Sequence, residues 1–373
     1  MPLIPFLSLL ICSHNYSEPT TETYLYLLKG KILGQDSNTS HQQVPPSGRV
    51  NKVEPFMGLP EIERSLIYKL LETSNKKSVK KVFVDTDTYN EIDDQFALVQ
   101  LLLSQILCSS VEVVAIAAAP FHNQSRNTDN YGQGMELSYK EIQNILNVLD
   151  CGWDGPIYKG SSLTLKQNNA NFVTSESATA LCELVHKNHS ENDPLFVLAL
   201  GALTNIASAI LMDPDIRSKI VVCSLGGVST NLQNFGEFNY QQDNLAAQVT
   251  FSSGVPIIHF PGFSVTDILK TTKWELDANV KNRGEIGKFL YDRFNEYVPY
   301  YPGRSKTIWD LAPGAWLINP DWFVSEVIHA PILNDNGTWT IYSENHPMRS
   351  IKWIDRDPIF HHFFGLLEKY ESV

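Results

Sequence analysis

Five short runs, apolar at nearly every position, constrain this chain more than any other feature. They are KVFVD from Lys81, VEVVAIAAAP from Val111, PLFVLAL from Pro194, KIVVCSLGG from Lys219 and VPIIHF from Val255. A strand with one wet face alternates apolar and polar residues, so strands this apolar are covered on both faces. Between them lie longer stretches of helical pattern: DDQFALVQLLLSQIL, ELSYKEIQNILNVLD, LTNIASAILMD and DNLAAQVTFSS. Strand-helix alternation of this kind predicts an α/β fold, a mainly parallel sheet flanked by helices. Past Asp321 the pattern changes to short strands (VSEVIHAP, TWTIYSE) and a final helix, IFHHFFGLLEKY. No internal repeat is evident.

Residues 1 to 78 differ from the rest. GQDSNTSHQQVPPSGRVNK is polar and rich in helix and strand breakers, which predicts a largely flexible N-terminal extension. PEIERSLIYKLLETS within it can form one amphipathic helix. The ordered core is expected from Lys80, within a catalytic domain at 79–373. The net charge of −12, with no basic stripe to offset it, argues against a nucleic-acid partner and allows a neutral small substrate. No window reaches the roughly 18 unbroken apolar residues of a membrane span. The five cysteines, Cys12, Cys108, Cys151, Cys182 and Cys223, form no CxxC pair, which predicts reduced thiols and a cytoplasmic setting. The start, MPLIPFLSLLICSH, carries an apolar run with no basic residue before it, a poorly formed secretory signal. Sequons at Asn15, Asn38, Asn123, Asn188 and Asn336 are near chance in so Asn-rich a chain and decide nothing.

In a parallel sheet the ligand site lies beyond the carboxyl ends of the strands. The first apolar run ends there in DTDTYNEIDD, which puts Asp85, Asp87, Asp93 and Asp94 into ten positions, the last two opening the next helix. Carboxylates this dense repel one another unless a cation or bound hydroxyl groups offset the repulsion; the plainer alternative is a solvated acidic loop with a helix cap. The loops after Leu200 and Gly227 should face the same site. The second holds NLQNFGEFNYQQD, in which Asn231, Asn234, Glu237 and Asn239 offer amides and a carboxylate suited to hydroxyl groups.

Over about residues 80–371 these pieces resemble the calcium-dependent nucleoside hydrolases, the inosine-uridine-preferring nucleoside hydrolase family. DTDTYNEIDD resembles the family's DxDPGxDD-like opening, and LGALTNIASAI its G-x-LTN stretch. NLQNFGEFN matches its N-x5-E-x-N stretch, and TIWDLAPGAW sits where the family carries a late metal-binding aspartate. The resemblance implies a Rossmann-like core and hydrolysis of the N-glycosidic bond of ribonucleosides, with Ca2+ as cofactor. It implies that Asp87 both ligates calcium and takes the proton from the attacking water. Asp94, Asp310 and the backbone carbonyl of Leu200 would complete the ligand set. Asp93, Asn231, Glu237 and Asn239 would hold the ribose, as would Asn123 in APFHNQS, where the match needs one extra residue. Homo-oligomers are common in the family and one is expected here.

The chemistry suits these residue types. Calcium takes six to eight oxygen ligands. Breaking the glycosidic bond builds positive charge on the ribose, which an anionic, oxygen-rich pocket stabilises. Two departures stand out. Five residues, Thr88 to Ile92, separate Asp87 from Asp93 where the family usually has three with a Pro-Gly, and Glu91 is placed to intrude on the site. Trp309 precedes Asp310 where many members carry a histidine placed to protonate the leaving base; purine-preferring members carry tryptophan. Trp309 is therefore expected to stack on a purine, or else merely to pack against the helix that follows. His122 is an outside candidate for the acid, His259 is expected to be a satisfied core residue, and His361 and His362 look structural. Two other readings stay open: a non-catalytic nucleoside- or ribose-binding relative, and a haloacid-dehalogenase-type phosphatase opening on VFVDTDTY. The second has Tyr89 where threonine or valine is wanted and leaves NLQNFGEFN and TIWD unexplained.

Overall fold

The structure, a computed structural model, describes residues 59–74, 78–232, 236–298 and 301–372, all within one compact unit, Val53–Val373. Most of the expected flexible extension, with Cys12, Asn15 and Asn38, lies outside the described residues, as does Asn234. The apolar runs form β1 (Lys80–Thr86), β2 (Val111–Ala118), β4 (Leu195–Ala199), β5 (Ile220–Leu225) and β6 (Ile257–Phe260), with a short β3 (Ile157–Lys159). Two short strands, β7 (Lys270–Thr272) and β8 (Ser305–Thr307), pair antiparallel with each other, and then come β9 (Phe323–His329), β10 (Ile332–Leu333), β11 (Trp339–Thr340) and β12 (Pro347–Ile354). Eight of these make one sheet in the order β3-β2-β1-β4-β5-β6-β12-β9, parallel throughout except for the edge strand β9.

The expected α/β fold is therefore present, and β1 shows why its sequence is so apolar. Val82 and Val84 enter the core on one face of the sheet while Phe83 enters the core on the other, and all three are fully buried. Strand order also locates the site. The chain runs from β1 outward through β2 to β3, then returns to β4 on the other side of β1 and continues to β6. The reversal opens a crevice between the carboxyl ends of β1 and β4, where α/β sheets bind ligands. Asp85 and Asp87 leave β1 at that point, and Leu200 leaves β4.

The ordered core begins earlier than the expected boundary at Lys80. The helix Arg64–Thr73 packs on β12, and its Ile67, Leu70 and Leu71 are buried in the main core. The amphipathic pattern was visible in sequence; its docking surface lies some 280 residues away and was not. Truncating a buried leucine costs the transfer energy of its side chain plus a cavity. We predict that Leu71→Ala lowers the stability of this unit by about 2–5 kcal/mol in urea denaturation. A loss below about 0.5 kcal/mol, the range of an ordinary surface substitution, would show that the helix is dispensable.

Candidate active site

Two helix N-termini converge on the crevice. Asp93 and Asp94 open the helix Asp93–Cys108, and Asp310 is the N-cap residue of the helix Leu311–Ile318, which packs against it. Carboxylates are favoured at such positions by the positive end of the helix dipole. Carboxylate oxygens of Asp93, Asp94 and Asp310 lie within 4.8 Å of one another, all buried. Asp87 stands outside that 4.8 Å group but near enough to be repelled by Asp93 and Asp94; it is 2% exposed, with one carboxylate oxygen, Oδ2, buried and without a hydrogen-bond partner. Gly201 lets the loop after β4 approach it: a Cβ there would sit 3.1 Å from the Cβ and Cγ of Asp87.

Burial is the leading cause that pushes every one of these carboxyls up. Asp94 rises to about 6, held down by the hydroxyl of Thr86, which donates to it. Asp93 rises to about 8 despite the nearby ammonium of Lys306. Asp87 and Asp310 are held well above the usual carboxylate range, burial being reinforced by repulsion from the neighbouring aspartates. Asp85 rises to about 7; it sits one layer back, where the Asn205 amide donates to its Oδ1 (2.8 Å). Asn205 also accepts from the Ser161 backbone N–H (2.8 Å), so the LTN stretch braces the site from below.

The lengthened loop Thr88–Ile92 is pinned rather than loose. Arg126 donates through Nε to the Asn90 carbonyl (2.7 Å), Asn123 donates to the Asn90 side chain (2.8 Å), and Gln95 donates to the Thr88 carbonyl (2.8 Å). Glu91 does enter the site, paired with the buried Lys306 of β8. The Lys306 ammonium lies 4.0 Å from the centre of the Trp309 ring, and Phe263 meets that ring edge-on at 6.4 Å.

Opposite, Glu237 caps the turn of helix Phe238–Gln242. It accepts from the backbone N–H groups of Gly227 (2.6 Å), Asn239 (2.9 Å) and Tyr240 (3.1 Å), and burial raises it to about 7. Gly227, at φ +63, makes the turn that aims its N–H inward. The Asn239 amide donates to the carbonyls of Leu200 (2.7 Å) and Leu225 (3.2 Å), leaving its own oxygen to other partners. Asn231 is exposed and accepts from Ser229 (2.6 Å). Asn123 accepts from the Ser125 N–H and hydroxyl, capping a short turn. His259 is buried in the core as expected but only half satisfied: Nε2 is bonded to the Gly226 carbonyl (2.9 Å), Nδ1 has no partner, and burial lowers the ring to about 4. His122 contacts Thr128 and the ring of Tyr131.

Residues 82–356 match the model of the inosine-uridine preferring nucleoside hydrolases. The chain belongs to that family. A non-specific ribonucleoside hydrolase of Escherichia coli is 29% identical over 207 residues, covering 49% of this chain and 67% of the relative. A pyrimidine-specific ribonucleoside hydrolase of Shigella flexneri is 27% identical over 195 residues, covering 50% of this chain and 59% of the relative. Among solved structures, a plant nucleoside hydrolase superposes with TM-score 0.62 at 20% identity, over 79% of this chain and all of that one. A purine-preferring ribonucleoside hydrolase from Gardnerella vaginalis gives 0.59 at 20% identity, over 79% and 99%. At that identity the superpositions speak for the fold alone. Membership in a nucleoside hydrolase family displaces the phosphatase reading and supports a hydrolase of N-glycosyl compounds.

Of the residues singled out from sequence, Asp87, Asp93, Asp94 and Asp310 come together at one end of the sheet, with Leu200, Glu237 and Asn239 linked across from them. Asn231 and Asn123 sit at the ends of the flanking loops. Sequence reasoning missed Lys306 and Thr86, and gave Asn205 no role. A lysine four residues before the late aspartate was the available signal for the first.

The donor set suits a hard divalent cation: buried carboxylate oxygens, one of them unpartnered, beside a strand-end carbonyl. Removing one negative charge should relieve the repulsion that burial magnifies. We predict that Asp310→Asn melts a few °C higher than the parent in chelator, yet gains little from added Ca2+, whereas the parent gains strongly. Scanning calorimetry with and without Ca2+ checks both halves; an equal Ca2+ response in the two proteins would remove Asp310 from the ligand set.

Proposed function

We propose that this protein hydrolyses ribonucleosides to free base and ribose, with a preference for purines. The observation that carries the reading is the buried aspartate cluster at the sheet's switch point, in a chain of this family. Asp87, Asp94, Asp310 and the Leu200 carbonyl would hold Ca2+. When bound, the cation supplies Lewis-acid charge that favours deprotonation of water and anchors sugar hydroxyls.

The chain's own residues do the rest. Asp87 orients the attacking water and takes its proton as the new bond forms at the anomeric carbon. Asp93 accepts from a ribose hydroxyl, as do the free side-chain oxygen of Asn239 and the remaining lone pairs of Glu237. Asn123 and Asn231 close the sugar site from the flanking loops. As the glycosidic bond breaks, its electron pair leaves with the base, and the positive charge spreading over the ribose is met by this ring of anionic and amide oxygens. Leu200 accepts one bond from Asn239 and retains a second lone pair for the cation. On the base side, one face of Trp309 carries the Lys306 ammonium, so a stacked purine would use the opposite face or displace it. The relatives span non-specific, pyrimidine-specific and purine-preferring enzymes, so the preference rests on Trp309. We further propose a catalytic unit that includes the helix Arg64–Thr73, and a homo-oligomer. Cys108, Cys151, Cys182 and Cys223 are free thiols, which supports the reducing, cytoplasmic setting proposed. No helix among the described residues is long and apolar enough to cross a membrane.

A nucleoside panel assayed for free base and ribose, with and without chelator, tests the reaction. We expect hydrolysis that chelation abolishes and phosphate does not stimulate; ribose 1-phosphate as product would refute it. Asp87→Asn should lose about a hundred- to ten-thousand-fold in turnover while keeping some cation binding, since it removes the base. Trp309→Ala should cut kcat/KM for inosine by roughly ten- to a hundred-fold and for uridine by far less, given the value of aromatic stacking on a base. Equal losses on both would end the stacking argument and leave the sugar chemistry standing.

A further inference from the structure

One peptide plane joins a buried histidine to the crevice. The Gly226 carbonyl accepts from Nε2 of His259 (2.9 Å), and the N–H on the other side of the same peptide, that of Gly227, donates to Glu237 (2.6 Å). No peptide bond among the described residues is cis, so this C=O and N–H point in opposite directions and fixing one fixes the other. Between two glycines such a plane can turn over at little steric cost. Turned over, it would aim a carbonyl oxygen at the Glu237 carboxylate in place of an N–H. The next two carbonyls are held by other donors, Gly227 by the N–H of Gly262 (3.0 Å) and Val228 by the indole of Trp339 (3.0 Å). The Gly226 carbonyl is held by His259.

The imidazole is arranged for this one bond. It is fully buried, with the ring of Tyr240 stacked on it (6.1 Å between centres) and those of Phe251 (5.5 Å) and Trp339 (5.8 Å) edge-on. Burial lowers it to about 4, so it is neutral and carries one N–H. A carbonyl can only accept, which puts that hydrogen on Nε2 and leaves Nδ1 a lone pair with no partner. A leucine here would fill the core without the desolvation cost of an unmatched nitrogen. A break of this kind with the local rule is expected where a residue serves function.

We infer that His259 is a positioning residue for Glu237: by pinning the Gly226–Gly227 peptide it keeps an N–H, rather than a carbonyl, aimed at the carboxylate, and so holds Glu237 ready to accept from a sugar hydroxyl. The inference rests on the sugar role proposed above for Glu237 and adds the residue on which that role depends. Oε2 of Glu237 takes two N–H donors, from Gly227 and Tyr240, while Oε1 takes one, from Asn239. Oε1 therefore keeps a lone pair for a hydroxyl so long as Oε2 stays anchored. With the peptide reversed, Oε2 would face an oxygen and the carboxylate would be pushed out of that pose.

His259→Leu removes the donor and keeps an apolar core, whereas His259→Gln restores an N–H on a side chain of similar reach. Amide hydrogen exchange at Gly227, followed by NMR, reads the peptide itself. Exchange at Val222, whose N–H donates to the Pro256 carbonyl, reads general loosening of the same part of the sheet. We expect the leucine variant to exchange roughly ten- to a hundred-fold faster at Gly227, the weight of a hydrogen bond to a charged group, and little faster at Val222. Its KM for inosine should rise by a similar factor with kcat less affected, since a grip on the bound sugar is lost, and its melting-point gain from Ca2+ should match the parent's. The glutamine variant should recover most of both losses, and His259→Met serves if the leucine variant does not fold. Exchange at Gly227 that is unchanged, or that rises only in step with Val222, would overturn the inference, as would a loosened Gly227 with nucleoside affinity intact. A protein that turns over no nucleoside, yet loosens at Gly227 with leucine and recovers with glutamine, would uphold the positioning of Glu237 and refute the hydrolase reading. Turnover in a parent whose Gly227 is indifferent to residue 259 would do the reverse.

Discussion

Repulsion among buried carboxylates is the constraint around which this end of the molecule is built. Two like charges a few ångströms apart repel by roughly 4 kcal/mol at an effective dielectric of about 20, and burial adds the cost of desolvating each one. Asp87, Asp93, Asp94 and Asp310 all suffer it, as their raised protonation ranges record. The fold spreads the relief over several elements. Two helix N-termini point their N–H groups inward, Thr86 donates to Asp94, and Lys306 stands near Asp93. None of these fully neutralises four charges. Under the proposed function, that deficit would favour a hard cation and a sugar whose ring becomes positive.

The sheet was legible because burial on both faces leaves an unambiguous trace: Val82, Phe83 and Val84 admit no solvent side. The aspartate cluster was legible because three of its members sit in one short stretch after a strand, and the parallel sheet dictates where that stretch ends up. Asp310 was legible only through resemblance, since nothing local says that its helix packs on the one opened by Asp93. What was lost shares a cause. The place of the helix Arg64–Thr73 in the core, the Glu91–Lys306 pair and the Asn239-to-Leu200 bond each join segments far apart in the chain. A lone lysine or asparagine in a sequence carries no sign of which distant group it will meet.

Glu237 and Asn239 show how chemistry inferred from residue type shifts once geometry is known. Both looked like free grips for hydroxyl groups. In the fold each first fulfils a backbone duty: Glu237 takes three N–H donors, and Asn239 spends its amide hydrogens on two strand-end carbonyls. These bonds fix the side chains in one orientation and still leave acceptor lone pairs unused. Were a sugar to bind as proposed, a site held this way would lose little side-chain entropy, which is the advantage of building it from groups already in use.

The lengthened loop follows the same logic. A longer connection after β1 would ordinarily be free to move and would dilute the site's geometry. Here Arg126 ties down the Asn90 carbonyl while its guanidinium lies over the rings of Tyr89 and Tyr297, and Gln95 reaches back from the helix to the loop. The extra residues thereby become a wall, and the wall carries Glu91. Without Lys306, Glu91, though only partly buried, would add one more negative charge to a group that already repels itself. With it, the pair is neutral overall, and the ammonium rests against the rings of Trp309 and Tyr297 instead of turning down onto the aspartates.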